Sequence, residues 1–276
     1  MKKSVLILHF EFLPSYLNKN IGYFMEVCEK NNYCVKFETK FKLKNFLKKW
    51  HRVWLYPFEK HLLIKLLILK LFNNKIILKL DSVIFPKWRA WLVEKLVDYI
   101  LAESKTAAKP FEQSKKVIYY SGGLSRKNIN LIKNLKTKRQ KQILFAGRPT
   151  WQKGIDRFKK IKIPGWKLKI VSDLKPKDYY REILKSSLIV LPTRGEGWPN
   201  VFQDAWFCKR LFLTTTKAQC QEGILNRDFY TDNINQAIKK IIKNLNWYYK
   251  HYDELYDRSK FVESDRVFLR LIKNQG

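Results

Sequence analysis

The sequence predicts an α/β protein built on parallel β-sheets. Eight short apolar runs alternate with segments of helical periodicity along the chain of 276 residues. Continuous apolar strands separated by helices are typical of parallel sheets that are covered on both faces. The runs lie at 4–10, 75–80, 98–104, 116–123, 142–147, 166–173, 187–193 and 210–216.

A polar, lysine-rich interval at 125–141 divides this pattern into two halves. "SVLILHF", "KIILKL", "DYILAES" and "KVIYYSGG" precede it, and "QILFAG", "WKLKIVSD", "SLIVLPT" and "RLFLTTT" follow it. The interval lacks the apolar periodicity of a core element, and domain boundaries usually fall in such segments. We therefore expect a first domain at 1–130 and a second at 140–245.

The charge balance favours anionic partners. The chain has 56 Lys and Arg against 24 Asp and Glu, a formal net charge of +32. Such a field attracts phosphates, anionic lipid or nucleic acid. An AT-rich genome can impose the same lysine-rich composition without selection for binding, so both explanations stay open.

Cysteine and histidine positions predict neither a zinc site nor a disulfide framework. The four Cys form no CxxC pair, and no two of the four His stand at metal-ligand spacing. A reduced, cytoplasmic setting fits this usage best. The N-terminal 14 residues resemble a weak signal peptide, but Glu11 stands where a small-residue cleavage site is expected. We interpret 4–10 as a buried strand.

The segment 41–72 interleaves Lys and Arg with Trp, Phe and Leu. Lysines interrupt its apolar stretches, which are shorter than the roughly 20 residues needed to cross a bilayer. The pattern favours helices lying on a membrane, with Trp50, Trp54 and Phe58 in the interface and the basic residues at anionic headgroups. The alternative is a core helix with a solvated face, and Pro57 should break the helix in either case.

The stretch "LFAGRPTWQKGIDRFKK" predicts a strand, a turn at Gly147 and a helix near 154–156. Arg148 and Lys153 then lie at the carboxyl edge of a parallel strand. Arginine grips phosphate oxygens bidentately and lysine supplies a point charge, so the pair can clamp a diphosphate. In so lysine-rich a chain, the alternative of ordinary surface cations stays open.

A second loop, "LPTRGEGWPNVFQDAW", follows the run at 187–193. Its glycines permit close approach to a ligand, and Pro199 suits the first turn of a helix whose N-terminus attracts anions. Glu196 lies in the loop and Asp204 more than a turn into the helix. Carboxylates in a crevice can accept hydrogen bonds from sugar or ribose diols. The alternative is an exposed acidic loop with Asp204 on a helix surface.

Together, "AGRPTWQKG" and "LPTRGEGWPNVFQDAW" resemble the retaining, metal-independent glycosyltransferases of the GT-B fold, specifically glycosyltransferase family 4, also called group 1. The family pattern runs "GRxxxxKG" and later "PSxxEGxPxxxxEAxxxG". The resemblance is close over 143–216 and weaker towards the N-terminus. It implies two Rossmann-like domains facing a cleft, in a compact version, with a final helix at 246–276 crossing back to the first domain. The aromatic stripe of that helix indicates packing rather than binding.

The resemblance also implies a role for each matching residue. Arg148 and Lys153 would neutralise the donor diphosphate, Glu196 would lie against the donor sugar as the catalytic carboxylate, and Asp204 would hold the ribose. The remaining donor-binding positions are Gly147, Gly197, Trp198, Pro199, Asn200 and Val201. The implied reaction transfers a hexosyl group from a UDP- or GDP-sugar to an acceptor hydroxyl with retention. It needs no metal and no cofactor, because the cations and the helix N-terminus stabilise the departing diphosphate.

Departures from the family pattern affect the base and the acceptor. Asp204 is one methylene shorter than the usual Glu, and a strand–helix unit that helps frame the base is missing before 187. On the acceptor side, the glycine-rich loop is reduced to "FLPSYLNKNIG", with Gly22 as its best candidate. Asp81 lies near the position where relatives have a histidine facing the donor sugar.

Three functions follow from these features. The first is a glycosyltransferase of glycan biosynthesis, peripheral on the cytoplasmic membrane face, with a lipid-linked or envelope glycan as acceptor. The second is a nucleic-acid-binding protein driven by net charge, although the sequence contains no recognition motif. The third is an inactive relative that retains the fold as a binding module.

Overall fold

The computed structural model describes residues 3–8, 17–38, 44, 47–55, 61–72, 74–80, 87–120, 123–257, 267 and 271. The chain divides into two compact units. One comprises Met1–Gly123 with Phe261–Gly276, and the other comprises Leu124–Lys260. The described strands pair in parallel within two sheets. The predicted α/β fold with parallel sheets is therefore confirmed.

The first unit has a six-stranded sheet in the order β2-β1-β3-β4-β5-β6. Its strands are β1 (Ser4–Leu8), β2 (Cys34–Glu38), β3 (Arg52–Leu55), β4 (Ile76–Leu80), β5 (Tyr99–Ala102) and β6 (Val117–Tyr119). Its helices are α1 (Leu17–Lys30), α2 (Leu62–Leu71), α3 (Lys87–Leu96) and α4 (Lys105–Ala108). All five residues of β4 are buried, as expected for a central strand with both faces covered.

The second unit has a four-stranded sheet in the order β10-β9-β7-β8. Its strands are β7 (Gln142–Ala146), β8 (Lys167–Val171), β9 (Leu188–Leu191) and β10 (Leu211–Thr214). Its helices are α5 (Arg126–Asn134), α6 (Ile155–Lys159), α7 (Pro176–Lys185), α8 (Asn200–Phe207), α9 (Ile234–Lys243) and α10 (Leu245–Lys250). Helix α5 occupies the polar interval at 125–141 and buries none of its residues, because it has no apolar stripe wide enough to join a core.

Two tryptophans of the 41–72 segment differ from their predicted placement. Residues 52–55 form β3, a strand rather than a helix, and all four of its side chains are buried. Trp50 and Trp54 are 5% and 3% exposed and pack in the core of the first unit. The prediction that these two side chains enter a membrane interface is therefore wrong, because the sheet already buries them. Phe58 and Pro57 lie outside the described residues.

The end of the chain is divided differently from the predicted range of 246–276. Helix α10 ends at Lys250, a short 3-10 helix follows at Tyr252–Glu254, and residues to 260 belong to the second unit. The aromatic side chains of this region pack within the second unit. The Tyr256 hydroxyl, for example, accepts a hydrogen bond from the Phe212 N–H at 2.8 Å. Leu271 is fully buried in the first unit, and its carbonyl accepts from the Arg52 guanidinium at 2.7 Å.

Two further features bear on the sequence predictions. None of the four cysteines forms a disulfide. Among the described residues, no helix is both long and apolar enough to cross a membrane.

Candidate functional site

Two loops of the second unit leave the same edge of its sheet. Strands β7 and β9 are parallel neighbours, with Ile143 opposite Leu188 and Leu144 opposite Ile189. Their carboxyl ends therefore meet, which is where parallel α/β sheets usually bind ligands. The loop 147–154 follows β7, and the loop 192–199 follows β9.

Two glycines shape the first of these loops. Gly147 has a φ of +144°, and its N–H donates to the Val171 carbonyl at 3.0 Å. Gly154 has a φ of +77°, and a Cβ added there would lie 2.0 Å from the Pro192 carbonyl oxygen. Only glycine fits at position 154, because both the positive φ and the close contact with Pro192 exclude a side chain. The two loops thus touch backbone to backbone.

Hydrogen bonds hold the loops in a fixed register. The carbonyl of Gln152 accepts from the Arg194 N–H at 2.8 Å and from the Thr193 hydroxyl at 3.0 Å. The Gln152 side-chain amide donates in return to the Gly195 carbonyl at 3.1 Å. Side chains carried by the two loops are therefore positioned relative to one another before any ligand binds.

Lys153 and Glu196 meet between the loops. The Lys153 Nζ lies 2.7 Å from Glu196 Oε2, and the two side chains are 19% and 23% exposed. Arg148, on the same loop as Lys153, is exposed. The structure thus brings together Glu196, the predicted catalytic carboxylate, and Lys153, one cation of the predicted clamp. The second cation, Arg148, lies on the same loop as Lys153.

The backbone of Glu196 is held by the loop after β10. The Glu196 carbonyl accepts from the Gln219 N–H at 2.9 Å, and Glu196 forms a parallel bridge with Ala218. This loop is the "KAQCQEG" segment, and its hydrogen bond holds the backbone that carries the Glu196 carboxylate.

Sequence reasoning missed Arg194, which joins the two loops. Its guanidinium binds both carboxylate oxygens of Asp156, at 2.8 and 2.6 Å, and lies 4.1 Å from the centroid of the exposed Trp151 ring. The hydrogen bonds from Arg194 lower the pKa of Asp156 to about 2. Asp156 stands in the first turn of α6. The sequence does carry a signal for this pair: Arg194 in "TRGEG" and Asp156 in "KGID" have opposite charges and follow two neighbouring strands.

The start of α8 holds the other predicted donor-binding positions. Pro199 caps the helix, one position before the predicted first turn, and Asn200 is its first helical residue. The Trp198 and Val201 side chains are only 5% and 6% exposed, and the Trp198 ring packs edge-on against Phe202. Any ligand contact of Trp198 and Val201 would thus rest on their backbone rather than on their side chains. The first N–H groups of a helix have no partner within the helix.

Asp204 has surroundings unlike those predicted. The side chain is fully buried, and its two oxygens accept from the Tyr179 hydroxyl at 2.6 Å and the Tyr180 hydroxyl at 3.1 Å. Burial, and then the charge of Asp204, raises the pKa of both tyrosines far above its usual value. The shorter Asp side chain thus pairs with α7 instead of pointing out of the sheet edge. A ribose contact would require these hydroxyls to be displaced.

The predicted acceptor-side residues belong to the first unit. Gly22 lies within α1, as part of a helix rather than of an open loop. Asp81 lies outside the described residues. Within the described ranges, His, Cys, Asp and Glu form no group of three or more that could hold a metal ion.

Comparisons by sequence and by structure give different results. No family model matches the sequence, and no curated protein matches it. Solved structures do match. Sucrose-phosphate synthase from Thermosynechococcus elongatus has a TM-score of 0.66 at 9% identity, over 99% of this chain and 100% of that chain. The trehalose-6-phosphate protein from E. coli bound with UDP-2-fluoro glucose has a TM-score of 0.62 at 10% identity, over 99% and 96%.

A third match has a different reaction in its name. A protein from Listeria monocytogenes assigned as a UDP-N-acetylglucosamine 2-epimerase has a TM-score of 0.60 at 8% identity, over 99% of this chain and 96% of that chain. At such identities the likeness shows the fold and leaves the reaction open. The chain has the parallel-sheet α/β fold of the GT-B glycosyltransferase structures.

Proposed function

We propose that this protein is a metal-independent glycosyltransferase that moves a hexosyl group from a nucleotide-diphosphate sugar to an acceptor hydroxyl with retention. The observation that carries the proposal is the contact of Lys153 with Glu196 at 2.7 Å, between two loops at the carboxyl edge of a GT-B sheet. The resemblance to glycosyltransferase family 4 over 143–216 supports retention and the absence of a metal.

UDP is the nucleotide that the comparisons favour over GDP. One fold neighbour is bound with UDP-2-fluoro glucose, and another is named for UDP-N-acetylglucosamine. Lys153 and Arg148 would bind the diphosphate, together with the N-terminus of α8. Glu196 would accept a hydrogen bond from a hydroxyl of the donor sugar.

The reaction needs charge stabilisation rather than a covalent intermediate on the protein. The bond from the anomeric carbon to the diphosphate oxygen breaks, and its electron pair leaves with the nucleoside diphosphate. A bond forms from the same carbon to the acceptor oxygen, whose proton passes to an oxygen of the departing diphosphate. Fixed cations beside the diphosphate favour this charge build-up, because they are in place before the bond breaks.

The acceptor would be a lipid-linked or envelope glycan, used at the cytoplasmic face of the membrane. The net charge of +32 supports this location. In that setting the protein is peripheral, held by surface contacts.

Product analysis with labelled UDP-sugars and a membrane lipid extract tests the proposal. A transferase releases UDP and places the labelled sugar on a lipid-soluble acceptor, whereas an epimerase returns a UDP-sugar inverted at C2. Lys153→Ala should abolish product formation, and Lys239→Ala, at an exposed lysine of α9, should not. Epimer as the product, or no consumption of any UDP-sugar, would contradict the transferase assignment.

A further inference from the structure

Exposed large apolar side chains of the first unit are concentrated on two helices. Leu71, Trp88 and Trp91 are 79%, 64% and 59% exposed. The full set on or next to α2 and α3 is Ile64, Leu67, Leu71, Phe72, Trp88 and Trp91. Among the described residues of this unit, only Leu47 and Tyr119 are large exposed apolar residues outside that set. Single exposed apolar residues are ordinary, but a cluster of them marks an interaction surface.

Both helices pack on the same face of the sheet, and the exposed apolar side chains lie on the sides of the helices that face away from it. Leu66 and Leu69 of α2 and Val93 of α3 belong to one core cluster, which also contains inward residues of β3, β4 and β5. The two helices also contact each other along their sides. Because their buried sides face the same sheet, their opposite sides face solvent together.

Helical spacing places the exposed residues on those outer sides. Ile64, Leu67 and Leu71 follow one another at intervals of three and four along α2, and Trp88 and Trp91 stand three apart on α3. Side chains at these intervals share one helix face. We call the outer side chains of Ile64, Leu67, Leu71, Trp88 and Trp91 the α2–α3 face.

The described charges of α3 are mostly positive. This helix carries Arg89 and Lys95 against the single acid Glu94. On α2, Lys65 is buried and Lys70 pairs with Asp98 at 2.7 Å, so the positive charge beside the α2–α3 face comes from α3. The Lys95 ammonium lies 5.9 Å from the centroid of the Trp91 ring. A tryptophan beside a lysine on an apolar helix face suits the boundary between headgroups and acyl chains of an anionic bilayer.

We propose that the α2–α3 face docks the protein on a membrane containing anionic phospholipid, with Trp88 and Trp91 inserted at the interface. The inference deepens the proposed function, because it rests on a membrane-located glycosyltransferase and names the surface that makes the contact. Trp88 and Trp91 thus take the interfacial role that the sequence predicted for Trp50 and Trp54, which are buried in the core of the first unit.

Vesicle co-sedimentation tests the α2–α3 face directly. Wild-type protein is compared with the double variant Trp88→Ala/Trp91→Ala on phosphatidylcholine vesicles with and without phosphatidylglycerol. Trp247→Ala is the matched control, since this tryptophan of the second unit is 51% exposed. We expect wild type and control to bind the anionic vesicles equally, and the double variant to partition at least about tenfold less.

Charge is tested separately with Lys95→Glu, which should weaken binding to the anionic vesicles alone. A UDP-induced thermal shift, equal in wild type and double variant, shows that the variant is folded and that its donor site is intact. If the double variant fails to fold, Leu71→Gln replaces it, since that side chain is the most exposed of the face.

Three results would overturn the inference: full lipid binding by the folded double variant, no lipid binding by the wild type, or equal binding of the wild type to neutral and anionic vesicles. A wild type that is dimeric without lipid, with a monomeric double variant, would assign the face to a second copy of the chain instead. The absence of any UDP shift in wild-type protein would count against the proposed function and leave the lipid result standing.

Discussion

At the residue scale, Lys153 serves two partners in the proposed reaction. In this structure its ammonium lies 2.7 Å from the Glu196 carboxylate. A bound diphosphate would compete with Glu196 for the same ammonium, because a single lysine is a point charge. The ion pair therefore keeps both groups in place at the loop junction and must be partly exchanged when the donor binds.

Glu196→Gln separates the two roles of this pair. The amide keeps the shape of the side chain and removes the charge that competes for Lys153. We expect the affinity for UDP to stay the same or rise, and turnover to fall about a hundredfold, as for loss of one preorganised polar group. Calorimetry with UDP and steady-state kinetics measure the two effects, with Glu254→Gln as an exposed control. An equal loss in affinity and turnover would make Glu196 a binding residue only.

The Arg194–Asp156 pair predicts a specific acid titration. Because the folded pKa of Asp156 is lowered to about 2, the pair contributes fully to stability above the unfolded pKa and loses that contribution as the pH falls towards about 2. Carboxyl NMR should show Asp156 titrating near that value in wild type and closer to 3.8, its ordinary value, in Arg194→Ala. A wild-type midpoint near the ordinary value would show that the pair does not form.

Asp204 provides a test between a structural and a ligand-binding role. Asp204→Ala removes the acceptor of two tyrosine hydroxyls at a fully buried position, so we expect the free energy of unfolding to fall by about 2–4 kcal/mol. Tyr180→Phe removes one of these bonds and should cost about 1 kcal/mol. Urea unfolding measures both. Unchanged stability of Asp204→Ala together with a large loss of UDP affinity would restore the predicted ribose contact.

At the element scale, the two strands that the sequence failed to predict each have their own physical reason. The structure has a strand within each of the eight predicted segments, and adds β2 and β3. Strand β2, "CVKFE", is an edge strand whose apolar residues are interrupted by Lys36, and β3, "RVWL", lies inside a lysine-rich segment. Arg52 is buried because it bonds the Leu271 carbonyl from a distant part of the sequence, which local periodicity cannot reveal.

The loop elements of the site were predicted more accurately than their side-chain contacts. Strand ends and glycines located both loops, because those signals are local. The Asp204–Tyr179 contact and the Arg194–Asp156 pair join elements far apart in the chain. The first depends on how α7 packs on α8, and the second on how α6 approaches the loop after β9, so spacing alone did not identify them.

Gly154 tests the backbone contact that joins the loops. Gly154→Ala would place a Cβ 2.0 Å from the Pro192 carbonyl oxygen, so we expect a loss of about 2 kcal/mol or more in unfolding free energy and weaker UDP binding. Gly165→Ala is the matched control, since Gly165 has a similar φ of +74° and nothing within 4 Å of its added Cβ. Equal effects of the two variants would show that the loops do not need this close contact.

At the scale of the whole molecule, charge and fold carry different information. The resemblance over 143–216 predicted the GT-B fold, and the structural matches support that fold at 9% and 10% identity. The net charge of +32 indicated anionic partners but could not distinguish diphosphate, lipid and nucleic acid. Only the site loops, which hold particular side chains in place, favour diphosphate among these three partners.

Salt dependence separates nucleic-acid binding from donor binding. A contact driven by net charge releases counterions, so any affinity for duplex DNA should fall about a thousandfold or more between low and physiological salt. UDP affinity should fall far less, because few charges define the site. Fluorescence anisotropy with labelled DNA and calorimetry with UDP measure the two. Tight, salt-resistant DNA binding would favour the nucleic-acid function instead.

The central claim is that Lys153 and Arg148 hold the diphosphate of a nucleotide donor at the loop junction. The most direct measurement is the calorimetric affinity for UDP of wild type, Lys153→Ala and Arg148→Ala, beside the surface control Lys239→Ala. We predict that wild type and the control bind alike, and that each site variant loses about 1.5–3 kcal/mol, the value of a charged hydrogen bond. Undiminished UDP affinity in both site variants would contradict the claim.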